Sequence, residues 1–198
     1  MSARYAQFHH RSIAEREAFW AEQARAIHWE QPWEQVLDYS KPPFARWFVG
    51  GRTNACYNCV DRHLAERGDQ NAIVWISTEV EQQRTLTYRQ LHEQVNRYAA
   101  VLRDHGLQRG ERVIIYLPMI PEALVAMLAC MRLGAVHSVV FGGFAPHNLA
   151  ARIDDARPRL LITADAGMRA GKVVPYKPLV DRAVADAKHP PQHVLIVK

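Results

Sequence analysis

Arg112-Val113-Ile114-Ile115-Tyr116-Leu117 reads as a strand buried on both faces, and its surroundings decide the fold. An almost wholly apolar helical stretch, Pro121–Leu133, follows it, and then a second apolar run over 135–140. That run ends on the turn Phe141-Gly142-Gly143-Phe144. A helical stretch from Pro146 to Ala156 leads into a third strand, 160–163, and then into a short loop, Gly167-Met168-Arg169-Ala170-Gly171-Lys172. Strands this apolar, alternating with helices, imply an α/β architecture: a layered, mostly parallel sheet flanked by helices. Ligands of such sheets sit beyond the carboxyl ends of the strands. The glycine turn and the basic loop both follow strands, so both are candidates for that edge.

The rest of the chain is read outward from this core. Its 198 residues are 48% hydrophobic, which suits a soluble chain with a substantial core. No apolar run is long enough to span a membrane, since Pro118, Pro121 and Arg132 interrupt the longest region. Met1-Ser2-Ala3-Arg4-Tyr5 has no apolar signal core. Three cysteines, an odd number, do not make a disulfide framework, and the expected location is cytoplasmic. The net charge of +5 comes from bases scattered among acids, without interleaved aromatic platforms, so nucleic acid and membrane are not expected partners.

Upstream, residues 1–11 are expected to be poorly structured. Ser12-Ile13-Ala14-Glu15 has the form of a capping box for a helix reaching Ile27. Residues 29–48 carry Trp29, Pro32, Trp33, Tyr39, Pro42, Pro43, Phe44, Trp47 and Phe48, and are expected to lie as an irregular strap anchored by its aromatics. Asn54 is a plausible cap for a helix through Arg67, ended by Gly68. Within it, Cys56, Cys59 and His63 have a spacing that invites a zinc reading. On a helix the same spacing is an apolar stripe, and no fourth ligand is evident. These residues, 1–68, form an expected N-terminal helical and extended cap, and 69–198 the expected first part of a larger, truncated domain.

Two short strands, 72–77 and 85–87, flank a charged turn, and Thr87-Tyr88-Arg89-Gln90 is a second capping box. Its helix presents Leu91, Val95, Tyr98, Ala99 and Leu102 on one face. It stops at Gly106, where Leu107 can meet Leu102 in a Schellman contact. Beyond the basic loop, Pro175 and Pro178 frame a short extended piece, a helix spans 179–187, and an apolar strand spans 193–197. A buried parallel strand normally continues into a covering helix or a ligand loop, so the sequence is expected to be a piece of a longer protein.

The chemistry written in these residues is partial. Gly142 and Gly143 let backbone approach a flat or anionic ligand, and Phe141 and Phe144 can pack on one. The spacing is not that of a dinucleotide fingerprint, and such a turn more often makes a tight strand-to-helix exit. Arg169 and Lys172 can grip a phosphate, one as a planar fork and the other as a point charge; a solvated basic loop is the plainer alternative. No nucleophile–base set can be assembled, and no catalytic residue is assigned.

Several motifs carry a resemblance. Leu86-Thr87-Tyr88-Arg89-Gln90-Leu91, Gly110-Glu111-Arg112-Val113, Leu117-Pro118-Met119-Ile120-Pro121-Glu122 and Arg132-Leu133-Gly134-Ala135-Val136-His137 resemble the acyl-adenylate-forming superfamily. His137-Ser138-Val139-Val140-Phe141-Gly142-Gly143-Phe144, Phe19-Trp20, Trp47-Phe48 and Asn58-Cys59-Val60-Asp61-Arg62-His63-Leu64 narrow it to the short-chain acyl-CoA synthetases. Residues 41–48 and 174–179 look most like the propionyl-CoA branch, with the acetyl-CoA branch close behind.

The resemblance implies a two-step ligase. A carboxylate attacks the α-phosphate of ATP, with magnesium, to give acyl-adenylate and pyrophosphate; the CoA thiol then displaces AMP. By position, it implies that Phe141, Gly142 and Gly143 border the CoA adenine and that Arg169 and Lys172 meet its phosphates. The family's Ser/Thr/Gly-rich ATP loop, acyl pocket and mobile C-terminal domain are not in this sequence, so ATP and magnesium sites are expected elsewhere in a parent chain. The expected partners are CoA, the remainder of that chain, a small carboxylate and, in a homo-oligomer, a second copy. Taken alone, these 198 residues are expected to be inactive. A standalone CoA- or nucleotide-binding module, or an oligomerisation piece, is the alternative.

Overall fold

A computed structural model describes residues 3–198, which divide into two compact units between Asn54 and Ala55. In the first unit, helix α1 (Ala3–Ala14) precedes α2 (Arg16–Ala24), and an antiparallel hairpin pairs β1 (Gln35–Lys41) with β2 (Phe44–Val49). Residues 3–11 are therefore helical rather than irregular, and residues 1 and 2 lie outside the described residues. Helix α1 buries none of its own side chains, which is why no apolar period announces it. Phe8 meets buried Phe19 edge-on at 4.8 Å, and Arg11 pairs with Glu22 at 2.9 Å. Ser12 does not cap a helix. Its hydroxyl donates to the His9 carbonyl inside α1, and the break falls at Glu15.

The aromatic strap is the hairpin itself. Trp29, Trp33 and Phe48 form a triangle with ring centroids 5.0–5.3 Å apart, and the Trp29 indole N–H donates to the Ala24 carbonyl at 2.9 Å. Alternation is hard to read here because aromatics occur on both faces of the ribbon and Pro42-Pro43 makes the turn.

The second unit opens with a broken helical segment: α3 (Ala55–Cys59), a 3₁₀ turn (Asp61–His63) and α4 (Leu64–Arg67). Cys56 and Val60 are buried, whereas the break turns Cys59 outward to solvent. The expected continuous apolar stripe through Cys59 is therefore interrupted. Strands β3 (Asn71–Ser77) and β4 (Gln82–Thr87) form a hairpin that leads directly into α5 (Tyr88–Asp104). Thr87 makes both bonds of its capping box with Gln90. At the other end, Gly106 has a φ of +81°, and Leu107 N–H donates to Leu102 O at 3.1 Å, as the Schellman motif requires.

Strand β5 (Arg112–Tyr116), helix α6 (Pro121–Leu133), β6 (Val136–Val139), α7 (Pro146–Ala156) and β7 (Leu160–Ala164) follow in turn. Next come a small hairpin of β8 (Gly167–Arg169) and β9 (Lys172–Val174), helix α8 (Tyr176–Asp186) and β10 (His193–Val197). Helix α8 begins earlier than expected because Pro178 falls in its first turn, where proline costs no hydrogen bond.

The four-stranded sheet has the order β10-β7-β5-β6, and every pair is parallel. Its strands alternate between two cores. Val113, Ile115, Leu117, Leu160 and Ile162 pack with α5, α6 and the Cys56 segment; Ile114, Tyr116 and Leu161 pack with α7 and α8. Helix α6 is apolar on most sides because it lies between the sheet and the helices α3 and α5. Chain leaving β5 and chain leaving β6 therefore pass over opposite faces, which opens a crevice at the carboxyl end of β5.

Candidate functional site

Strands β6 and β7 flank β5, so the segments that leave them rise on either side of that crevice. The first is the turn Phe141-Gly142-Gly143-Phe144. It is closed by Gly143 N–H and Phe144 N–H, which both donate to Phe141 O at 2.8 and 3.2 Å. The Tyr116 hydroxyl donates to Phe144 O at 3.0 Å and ties the turn to the end of β5. Phe141 is 55% exposed, so part of its ring is open to solvent.

The glycines are required by close approach rather than by a special φ. A Cβ at Gly142 would fall on the Tyr176 hydroxyl, and one at Gly143 would fall on Arg169 Nη1. Tyr176 is buried at the start of α8, its ring 5.2 Å from that of Tyr116. Burial pushes both phenols up from their ordinary range, while the nearby Arg169 partly opposes this at Tyr176. A Cβ at Gly167 would crowd the other edge of Tyr176 and Pro118. Tyr176 is thus the post on which both corners lean. Nothing in the sequence beyond its place at the mouth of a helix marks it out.

The second segment, expected as a loop, is a two-residue β-hairpin. Arg169 lies opposite Lys172, and the turn between them, Ala170-Gly171, has φ values of +50° and +71°. Such a turn matches the twist of a tight hairpin, and glycine supplies one of the two left-handed positions. Three-residue strands are too short to show a period, which hid the hairpin. Arg169 reaches across the crevice and rests its guanidinium 4.9 Å from the centre of the Phe141 ring. The structure thus brings Phe141, Gly143 and Arg169 into one place. Gly142 lies beside them on Tyr176, and Lys172 lies on the strand facing Arg169. Among the described residues, neither Arg169 nor Lys172 has a carboxylate within ion-pair distance.

A cleft of about 480 Å³ adjoins the hairpin. Trp75, Glu79 and Arg84 line it from the β3–β4 side, Pro118 to Ile120 from the end of β5, and Gly167, Met168 and Val173 from the small hairpin. The Trp75 indole N–H donates to Met119 O at 2.7 Å, and Arg84 pairs with Glu122 at 2.8 Å. Glu79 accepts the N–H of Gly171 and of Ala170, each at 2.9 Å; these bonds hold its carboxyl below the ordinary carboxylate range. A smaller hollow of about 220 Å³ at the far edge of the sheet, lined by Arg112, Arg157 and Arg159, includes none of these residues.

The cysteine segment is built differently. Arg132 donates to Asp61 at 2.7 Å and to the Cys56 sulfur at 3.3 Å, and His92 lies 3.3 Å from the same Asp61. His63 turns instead to the Tyr88 ring, 5.4 Å away. Cys56 and His63 therefore serve separate neighbours, Cys59 is exposed, and no three metal-type side chains converge among the described residues. No helix among the described residues is long and apolar enough to cross a membrane.

With this geometry in hand, comparisons with known proteins agree with one another. A family model described as AMP-binding enzyme matches residues 60–198, and one described as acetyl-coenzyme A synthetase N-terminus matches residues 5–59. A propionate–CoA ligase of Escherichia coli is 56% identical over 98% of the chain, and one of Salmonella typhimurium is 58% identical over the same share. An acetyl-coenzyme A synthetase of Methylorubrum extorquens is 48% identical over 99% of the chain. In each case the chain spans 31% of the relative's length. A solved acetoacetyl-CoA synthetase from Streptomyces lividans superposes over 98% of the chain and 32% of its own, with a TM-score of 0.88 at 27% identity.

Proposed function

Because the chain belongs to the AMP-binding enzyme family, we propose that it is the leading part of an ATP-dependent acid–thiol ligase for a short carboxylate. Propionate is preferred over acetate. The relatives of higher identity are propionate–CoA ligases, and the acetyl-coenzyme A synthetases follow at lower identity. The whole reaction joins a carboxylate to the α-phosphate of ATP, releases pyrophosphate, and then transfers the acyl group to a thiol as AMP leaves.

The share of that work proposed for these residues is to hold CoA, which supplies the thiol. Arg169 and Lys172 would receive its phosphates, and Phe141 with the Gly142-Gly143 backbone would border its adenine. One observation carries this reading: a guanidinium without a carboxylate partner rests on an exposed phenyl ring, with an ammonium on the facing strand. A ring and two unpaired cations form a surface suited to a phosphorylated heterocycle. Arg fits this better than Lys would, since its planar fork can both stack and take two phosphate oxygens.

The chain spans 31% of the length of the propionate–CoA ligases it matches. No Ser/Thr/Gly-rich phosphate loop occurs in the sequence. Adenylation is therefore assigned to polypeptide beyond these residues, and this chain alone should release no pyrophosphate with ATP, magnesium and propionate. Calorimetric titration with CoA tests the binding role. Arg169→Ala should weaken CoA about ten- to a hundredfold, the loss expected for a charge-assisted phosphate contact of about 1.5–3 kcal/mol. Equal affinity of the two proteins would remove the reading.

A further inference from the structure

The small hairpin that carries Arg169 and Lys172 has two backbone donors that its own ladder cannot use. In a two-residue hairpin the N–H groups of both turn residues point away from the ribbon. Here these belong to Ala170 and Gly171, and both donate to one side chain, one to each oxygen of Glu79. A carboxylate taking two adjacent N–H groups in this way fixes direction as well as distance.

Glu79 lies in the turn between β3 and β4, 91 residues away from Ala170 in sequence. That turn has its own foundations. Trp75 bonds Met119, and Arg84 pairs with Glu122, so the β3–β4 hairpin is fastened to the segment leaving β5. Glu79 carries this fastening across the cleft to the tip of the small hairpin. Without it, the hairpin would be held at its base, where Gly167 packs on Tyr176, with three register pairs between its strands out to the tip. The strands are far too short to be rigid alone.

We infer that Glu79 is a positioning residue: by gripping the Ala170-Gly171 turn it holds Arg169 over Phe141 and keeps Lys172 beside it. This rests on the CoA reading of the site. Glu79 touches no phosphate itself. It meets the hairpin at its tip, whereas Arg169 projects from the strand to Phe141, so its charge occupies the turn donors and leaves the guanidinium unpaired.

The competing possibility is that the turn donors are themselves the anion site and that Glu79 merely fills them until a phosphate arrives. The two give opposite signs. For a positioning residue, Glu79→Ala should weaken CoA about five- to twentyfold, within the usual range of coupling between sites. Glu79→Gln, which keeps one acceptor, should recover part of the loss. In ¹⁵N spectra the Ala170 and Gly171 amides of Glu79→Ala should move upfield and exchange faster with solvent, with far-ultraviolet circular dichroism unchanged. Tighter or unchanged CoA binding by Glu79→Ala overturns the inference, as do unaltered amide signals. A loss of the amide signature with equal CoA affinity overturns the positioning role alone. If Arg169→Ala also leaves CoA affinity intact, the reading beneath it fails, and the amide signals still decide whether Glu79 holds the turn.

Discussion

Two neighbouring glycines show how differently one atom can act. At Gly142 an added Cβ meets the hydroxyl end of Tyr176, a ring buried in the core below α8. That ring cannot withdraw without disturbing Tyr116, whose ring lies 5.2 Å away, so Gly142→Ala should cost about 1–3 kcal/mol of stability, the usual penalty for overpacking. At Gly143 the added atom meets the far end of Arg169 and, less closely, the edge of the exposed Phe141 ring. A flexible side chain gives way, so Gly143→Ala should stay within about 0.5 kcal/mol of the parent in urea unfolding. It should nevertheless lift the guanidinium from Phe141 and weaken CoA. Equal stability losses in the two variants would contradict this assignment. The pair was visible in the sequence as a place of close approach, but the partners were not. Sequence spacing cannot show that Tyr176 and Arg169, from a later strand and helix, fold back to fill the space beside the glycines.

At the level of elements, what was legible followed local rules. The Thr87 capping box, the Gly106 stop and the parallel core strands stand where their patterns put them, because each depends on residues a turn apart or on simple runs of apolar side chains. Removing the Thr87 hydroxyl in Thr87→Ala should cost about 1 kcal/mol, readable as a lowered melting temperature. No change in melting would mean that tertiary packing alone holds the start of α5. The elements that escaped were those without a period. Helix α1 has no buried side chain to mark a face. The β8–β9 hairpin has three-residue strands, and the β1–β2 hairpin carries aromatics on both sides. The Cys56 helix looked continuous because its stripe was apolar, yet it breaks at Val60.

For the molecule as a whole, the sheet with its two cores sets which groups meet solvent. Cys130 lies on the buried side of α6, and burial pushes its thiol up to about 12. Burial also raises Cys56, while Cys59 is exposed. At pH 8 a thiol reagent should therefore label Cys59 quickly and the other two only after global unfolding, since a thiol reacts as its thiolate. Three equally fast thiols would mean that the core opens far more readily than its packing suggests.

Parallel strands exact one further consequence. Phe141 and Arg169 belong to corners on strands β6 and β7, which are not neighbours but sit on either side of β5. Neither corner has a meaning of its own. A nascent chain that has emerged only as far as Phe141 carries an exposed phenyl ring and no recognition surface. The surface exists only where β7 lies beside β5 and Tyr176 is seated between the corners, so it belongs to the assembled sheet and to no single strand.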